Sequence, residues 1–315
     1  LGFSSENLWW GPSTRNGIMM SNHARGFNHI TFNTIKPIHT PIGNFEWQLV
    51  TGKLEPSGYT PPNPDYEYAS TKLYVPKKND WRYFQGLVFT YNPRFAKNLS
   101  LGFIRWVQFY SEFANNNKDF FPVFDNLFRK NDKYENLDGS LEMSRDQAAG
   151  IFMRWLWNES KAEIYAEFHH NDSKVNFRDL LLDSDHSRAS TIGLNKIFNL
   201  NKSYLKFSWE WTQLEQTNSK KLRNAGSWYH HFNVRHGYTN RGEVIGAGIG
   251  PGSNSHFINL GLYKPKYMVS FAIEIIDNDN DWFYKAFEEA YDFRRYWKDY
   301  NFHINIRKEF KNVFS

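Results

Sequence analysis

Two adjacent indoles, Trp9 and Trp10, stand just upstream of two arginines, Arg15 and Arg25. The block reads Trp9-Trp10-Gly11-Pro12-Ser13-Thr14-Arg15-Asn16-Gly17-Ile18-Met19-Met20-Ser21-Asn22-His23-Ala24-Arg25-Gly26. Indole faces stack on sugar rings and guanidinium groups pair with anions, so the mixture suits an anionic saccharide. Gly11-Pro12 imposes a turn, because proline fixes its own φ and biases its predecessor toward extended geometry. Ile18-Met19-Met20 then runs apolar before Ser21-Asn22.

Other residue sets point to chemistry less well. Glu163 and Glu167 share one face of an alternating segment, and Glu210 falls on the same wall. Facing carboxylates hydrolyse glycosides, but inside a wet lumen such groups pair with cations, here Arg105, Arg154 or Arg307; no enzyme is expected. His169-His170 and His230-His231 lack the i, i+4 spacing of a zinc helix. Asp277–Asp281 with Glu288 mimics a calcium loop, but Trp282 stands where the tight turn needs glycine, which leaves a solvated loop tip. The glycines of 246–252 complete no G-x-G-x-x-G, because Pro251 and Ser253 occupy the sixth positions. They read as a tight loop packed on a wall. No metal and no cofactor are expected.

The elements that must position these residues are strands. In Tyr204–Thr212, Leu205, Phe207, Trp209 and Trp211 alternate with Lys206, Ser208, Glu210 and Thr212. Tyr267, Val269, Phe271, Ile273 and Ile275 form a second such set, and Tyr300, Phe302, Ile304 and Ile306 a third. Ala162, Ile164, Ala166 and Phe168 alternate with Glu163, Tyr165, Glu167 and His169; Phe45, Trp47 and Leu49 with Asn44, Glu46 and Gln48; and Ile151, Met153, Trp155 and Trp157 form a further apolar face. Period two is the mark of a strand with two unlike faces. Each run is about 9–12 residues, the length of a tilted membrane strand rather than the 5–6 of a globular one.

The connections alternate as well. Asn158-Glu159-Ser160, Leu200-Asn201-Lys202 and Lys264-Pro265-Lys266 are tight turns, and Asn92–Asn98 is a slightly longer one. Between them lie the long segments 111–147, 171–188, 215–228 and 277–297. Short turns on one side and long loops on the other are the layout of outer-membrane barrels. The expectation is an all-β, up-and-down antiparallel transmembrane barrel of roughly 12–14 strands, a single domain over 1–315. Two loop segments carry helical stripes: Phe120, Phe121, Phe124, Leu127 and Phe128, and Phe283, Phe287, Ala290 and Tyr291.

Composition agrees. With 28 Phe, 18 Tyr and 12 Trp, aromatics are 18% of the 315 residues. Yet mean hydropathy is −0.68, and no segment offers the roughly 20 apolar residues of a membrane helix. There is no cysteine, which excludes disulfides and cysteine metal sites. The net charge of +5 suits an acidic partner, while interspersed charges argue against nucleic acid. The start Leu1-Gly2-Phe3 lacks an initiator Met, which suggests a processed or partial chain.

The block 9–26 resembles the signature WWGPG-x-x-x-S-L-I-L-S-N-N-A-R-P of the Wzi capsule-assembly family, matching at Trp9, Trp10, Gly11, Pro12, Ser21, Asn22, Ala24 and Arg25. It departs at Ser13 and Gly26. A second match is Tyr238, Arg241, Gly242, Gly246, Gly250, Gly252 and Ser253. A third spans Glu167–Asp172, Arg178-Asp179-Leu180-Leu181 and Asp185-His186-Ser187-Arg188. The resemblance covers roughly 1–310. It implies a bacterial outer-membrane β-barrel lectin, without catalysis, that anchors capsular or related surface polysaccharide. The implied partners are an acidic polysaccharide, outer-membrane lipid and lipopolysaccharide, with an envelope protein complex as a further one. Trp9, Trp10, Arg15, Arg25 and Arg241 are the candidate carbohydrate-binding residues, set against a purely structural role in filling the lumen. The alternatives are a porin-like channel or structural envelope subunit, and a soluble carbohydrate-active enzyme.

Overall fold

The computed structural model describes residues 1–114, 121–124, 133–135, 141–143, 145–171, 184–223 and 225–309. Its main sheet has thirteen strands. They are β1 (Gly2–Ser4), β2 (His29–Asn33), β3 (Ile38–Thr40), β4 (Gly43–Leu54), β5 (Arg82–Pro93), β6 (Leu99–Tyr110), β7 (Arg145–Trp157), β8 (Ala162–Asn171), β9 (Arg188–Leu200), β10 (Ser203–Gln213), β11 (Asn254–Lys264), β12 (Tyr267–Asn278) and β13 (Trp297–Lys308). All pairings are antiparallel between sequence neighbours, except that β2 and β3 both pair with β4. The fold is an all-β meander.

Loop parity is as the turn residues predict. Connections 94–98, 158–161, 201–202 and 265–266 lie at one end, together with the 34–42 hairpin region. The strand ends that the longer stretches 55–81, 111–144, 172–187, 214–253 and 279–296 join are at the other. The last holds α1 (Asn280–Ala290), where the Phe283-Phe287 stripe forms the expected helix. Asp279, at φ 41°, caps it by accepting the Trp282 N–H, so this acidic tip is a helix start. Of the other stripe, Pro122–Phe124 forms a 3-10 turn after Phe121, and Phe120, Leu127 and Phe128 lie outside the described residues.

Register sorts the faces. Opposite Glu210 stand Gly193 on β9 and Phe257 on β11, and Phe257 in turn faces Glu274 on β12. This phase points inward. The other phase carries Ile258, Leu260, Val269, Phe271, Phe302, Ile304 and Ile306, all exposed, with Ile306 at 73%. A continuous exposed apolar band of this extent is unfavourable in water and matches a lipid-facing wall. One expected lumen cation lies elsewhere. Arg105 opposes Ala149 and so falls on the outer phase, where its guanidinium donates to the Val123 carbonyl and to Gln147. By contrast Arg154 does pair with Glu163 inside, at 2.6 Å.

The interior is filled. Trp10 reaches Gln48 on β4, and Arg15 reaches Glu274 on β12. Those strands are eight steps apart, roughly 40 Å on a flat sheet. The backbone from residue 10 to 15 extends about 18 Å at most. The strands between, β8 and β10, bond the same segment through Glu167 and Glu210, so the sheet curls around the block as a wall around a plug.

Candidate functional site

The block 9–26 crosses the lumen and is tied to the wall by carboxylates. Glu210 accepts the backbone N–H groups of Thr14, Arg15 and Asn16, at 2.7, 3.0 and 2.7 Å, plus the Tyr165 hydroxyl at 2.7 Å. Three consecutive amides turned toward one anion form a nest. Glu167 accepts the Ser13 N–H at 2.9 Å and, through its other oxygen, the His169 Nε2–H at 2.9 Å. Gly11 sits over the same carboxylate at φ +95°, where a Cβ would come within 2.5 Å of Glu167 Oε1. Glycine is needed there on both counts.

The mouth is closed by the 214–253 loop. Tyr238 stacks on Trp106 of β6 at 4.0 Å and 7°. Its hydroxyl donates to the Met19 carbonyl at 2.6 Å, and that of Tyr229 to the Ile18 carbonyl at 2.9 Å. Ser21 donates its N–H to Ile245 and its hydroxyl to Gly246. Ile18, Met19 and Met20 are buried in this joint, each contributing about 1.5–3 kcal/mol if the loop and block stay together. Two of the three motifs recognised in the sequence thus dock on one another. Arg82 of β5, fully buried, clamps the second of them to the wall: it donates to the carbonyls of Gly237 at 2.6 Å, Thr239 at 2.9 Å and Glu55 at 3.1 Å. Burial holds the Tyr229 and Tyr238 hydroxyls protonated, raising both above the ordinary tyrosine range, and lowers His236 in the same loop below the usual histidine value.

The five candidate sugar residues divide into two groups. Trp10 is buried, its indole N–H donating to Gln48 at 2.7 Å. The Arg15 guanidinium donates from Nε to both oxygens of Glu274 at 3.2 Å, with its other face toward the Phe257 ring. Trp9 is 36% exposed, with its N–H on the Ser13 carbonyl. Arg25 and Arg241 lie together at the long-loop end. Asn240 bridges them, donating to the Arg25 carbonyl and accepting from Glu55 N–H, while Arg241 N–H donates to the Glu55 carbonyl. Arg25 also faces Glu243 at 3.5 Å, and both arginine side chains are solvent-facing.

Sequence reasoning passed over several residues. Glu274 sits between Ile273 and Ile275, and only its polar phase signals the lumen. Arg82 opens a strand after a loop and carries no motif. An outer cleft of about 410 Å³ was also unforeseen; it is lined by Asp185, Arg188, Gln213, Lys220, Tyr284 and Glu288. Lys220 lies over the Tyr284 ring at 5.1 Å. An exposed ring among amides and charges of both signs suits a hydroxylated, polar ligand. The Asp185-Arg188 end of the third motif reaches this cleft, while Arg178–Leu181 lies outside the described residues.

Among solved structures, one from Escherichia coli shares the fold, with a TM-score of 0.61 at 13% identity. It is described as Wzi, an outer-membrane protein involved in group 1 capsule assembly and a carbohydrate-binding β-barrel. The match covers 89% of this chain and 54% of that one, so the chain spans about half of its length. No curated protein matches. The family model of the capsule assembly protein Wzi matches residues 1–263, across all three motifs. The chain belongs to the Wzi capsule assembly family.

Proposed function

We propose that this chain forms one barrel domain of the bacterial outer membrane and holds capsular or related acidic polysaccharide on its long-loop surface, without catalysing a reaction. The observation that carries this reading is the plug. Residues 10–20 and the 229–247 loop occupy the lumen, so the surface free for a polymer is the rim, not a channel. The exposed apolar outer phase supports the membrane setting. At the rim, Arg25, Arg241 and the Tyr284 cleft offer cations and a stacking face, and Trp9 adds a partly exposed indole on the block itself. Trp10 and Arg15 serve this surface indirectly, by holding the block in place. Each contact is weak, and a repeating glycan multiplies it. Interior carboxylates are engaged by backbone amides, His169 or arginines, an arrangement for anchoring rather than for proton transfer.

The test is deletion in a capsulated host with polymer synthesis intact. Polysaccharide is expected to move from the cell-attached to the shed fraction. A normal attached capsule would reject the lectin role. Membrane fractionation and a heat-dependent gel shift test the barrel; a freely soluble folded chain would reject it.

A further inference from the structure

The two ends of the barrel differ in charge. The short connections carry Lys36, Arg94, Lys97, Lys161, Lys202 and Lys266, with Lys264 beside them, against Glu159 alone among their own residues. Among the described residues, none of Lys36, Arg94, Lys97, Lys202, Lys264 and Lys266 has a carboxylate partner. The long-loop end pairs more of its charges, as in Lys285–Glu289, Lys72–Asp65 and Arg294–Asp292, and leaves Lys77, Arg235 and Arg241 without a carboxylate partner among the described residues. Most of the unpaired cations of the connections gather at the short-turn rim.

Apolar side chains accompany them. Ile35 beside Lys36 is 95% exposed, Phe95 beside Arg94 is 84%, and Leu200 near Lys202 is 49%. Two lysines, moreover, lie on the outer phase of the wall. Lys196 of β9 opposes Phe207 and rests its ammonium 5.5 Å from the Phe198 ring, and Lys264 of β11 rests 5.2 Å from the Tyr267 ring. Outward lysines that run along outward aromatics to a strand end are snorkelling residues. A water-soluble polyanion would need neither the exposed apolar tips nor the outward direction.

We propose that the short-turn rim is a collar for anionic phospholipid, whose phosphodiester headgroups take Lys196, Lys202, Lys264 and Lys266 while Ile35, Phe95 and Leu200 enter the acyl boundary. This rests on the membrane reading above. Basic residues near an anionic leaflet each contribute enough for roughly five-fold preference, and the effect decays within a Debye length.

The test uses the full chain in nanodiscs of equimolar phosphatidylcholine and phosphatidylglycerol, followed by mild detergent release and native mass spectrometry of retained lipid. Phosphatidylglycerol should be enriched at least about five-fold. The enrichment should vanish in K196E/K202E/K264E/K266E and persist in the matching Lys→Arg variant. It should also persist in K72E at the opposite end, and fall with added salt for the unaltered chain, which keeps the test sound if the Glu variant misfolds. An unchanged lipid ratio in a folded Glu variant, or a salt-independent one, overturns the collar. Loss of acidic-polysaccharide retention with lipid preference intact assigns the rim to glycan and also overturns it. A chain that never inserts, seen as no heat-modified mobility, fails the membrane reading itself.

Discussion

The carboxylate of Glu210 accepts the backbone N–H of Asn16 at 2.7 Å, across 194 positions of sequence. With Thr14 and Arg15 donating to the same group, one wall residue fixes three amides of the plug. Glu210→Ala leaves those amides unsatisfied in a closed lumen. Charge-assisted bonds of this kind are each worth about 1.5–3 kcal/mol. The thermal midpoint of the detergent-solubilised protein should fall by about 5 °C or more, and Glu210→Gln should recover only part of the loss. A midpoint unchanged in both variants would show that the plug is not held there.

Arg82 makes an analogous prediction for the mouth. Removal of its guanidinium in Arg82→Met frees the Thr239 carbonyl and leaves that of Gly237 to Gln108 alone. The 229–247 segment should become several-fold more susceptible to limited proteolysis while the strands stay protected. Arg82→Lys should rescue little, since an ammonium cannot span the same fork of acceptors. Equal cleavage in all three proteins would count against the clamp.

The same loop should loosen at both pH extremes. His236 is lowered by burial first, with Arg82 and Lys77 adding to it, so the released loop binds the proton more readily than the docked one. Docking is therefore fully favoured above about pH 6.5 and weakens as pH falls below it. Tyr238 is raised by burial, so docking also weakens as pH climbs beyond about 10, where the released tyrosine ionises first. Amide exchange across 229–247 should be slowest between those limits. His236→Phe should shrink the acid arm, His230, which burial lowers likewise, keeping the rest, and leave the alkaline one.

Among the five candidate sugar residues, loss of function should separate from loss of fold. Trp9→Ala and the pair Arg25→Ala/Arg241→Ala should each weaken polysaccharide retention by roughly 2- to 5-fold, the worth of an exposed stacking or cationic contact, at unchanged thermal midpoint. Trp10→Ala should instead lower the midpoint through the lost Gln48 bond and an empty lumen site. Affinity measured on immobilised acidic polysaccharide, beside thermal melts, distinguishes the two. A Trp9 variant that binds normally removes Trp9 from the surface.

The strands were legible because a wall with lipid on one side and a plug on the other imposes two unlike faces. Leu205 to Trp211 against Lys206 to Thr212 records that difference directly. Loop parity followed from turn residues such as Pro265 and Asn201, and α1 from the spacing of Phe283 and Phe287. What sequence could not give was the partner of each polar residue. Arg105 looks like a lumen cation until register puts it opposite Ala149, outside. Trp10 and Arg15 look like ligand contacts until Gln48 and Glu274 claim them. Those partners lie 38 and 259 positions away, beyond any local pattern. Tyr238 and Met19 likewise belong to separate motifs, and only the fold shows that each motif is the other's socket.

The plug also constrains how the chain can be assembled. Arg15 precedes β4, yet its partner Glu274 lies on β12. As the chain is made, the block must wait, apolar residues bare, until β12 has been made. Such distant pairing makes folding slow and leaves the intermediate prone to aggregate. A holding factor for the unassembled block, or concerted curling of the sheet onto it, is therefore a requirement of the architecture. The bond between Arg15 and Glu274 thus couples the seating of the block to the arrival of β12.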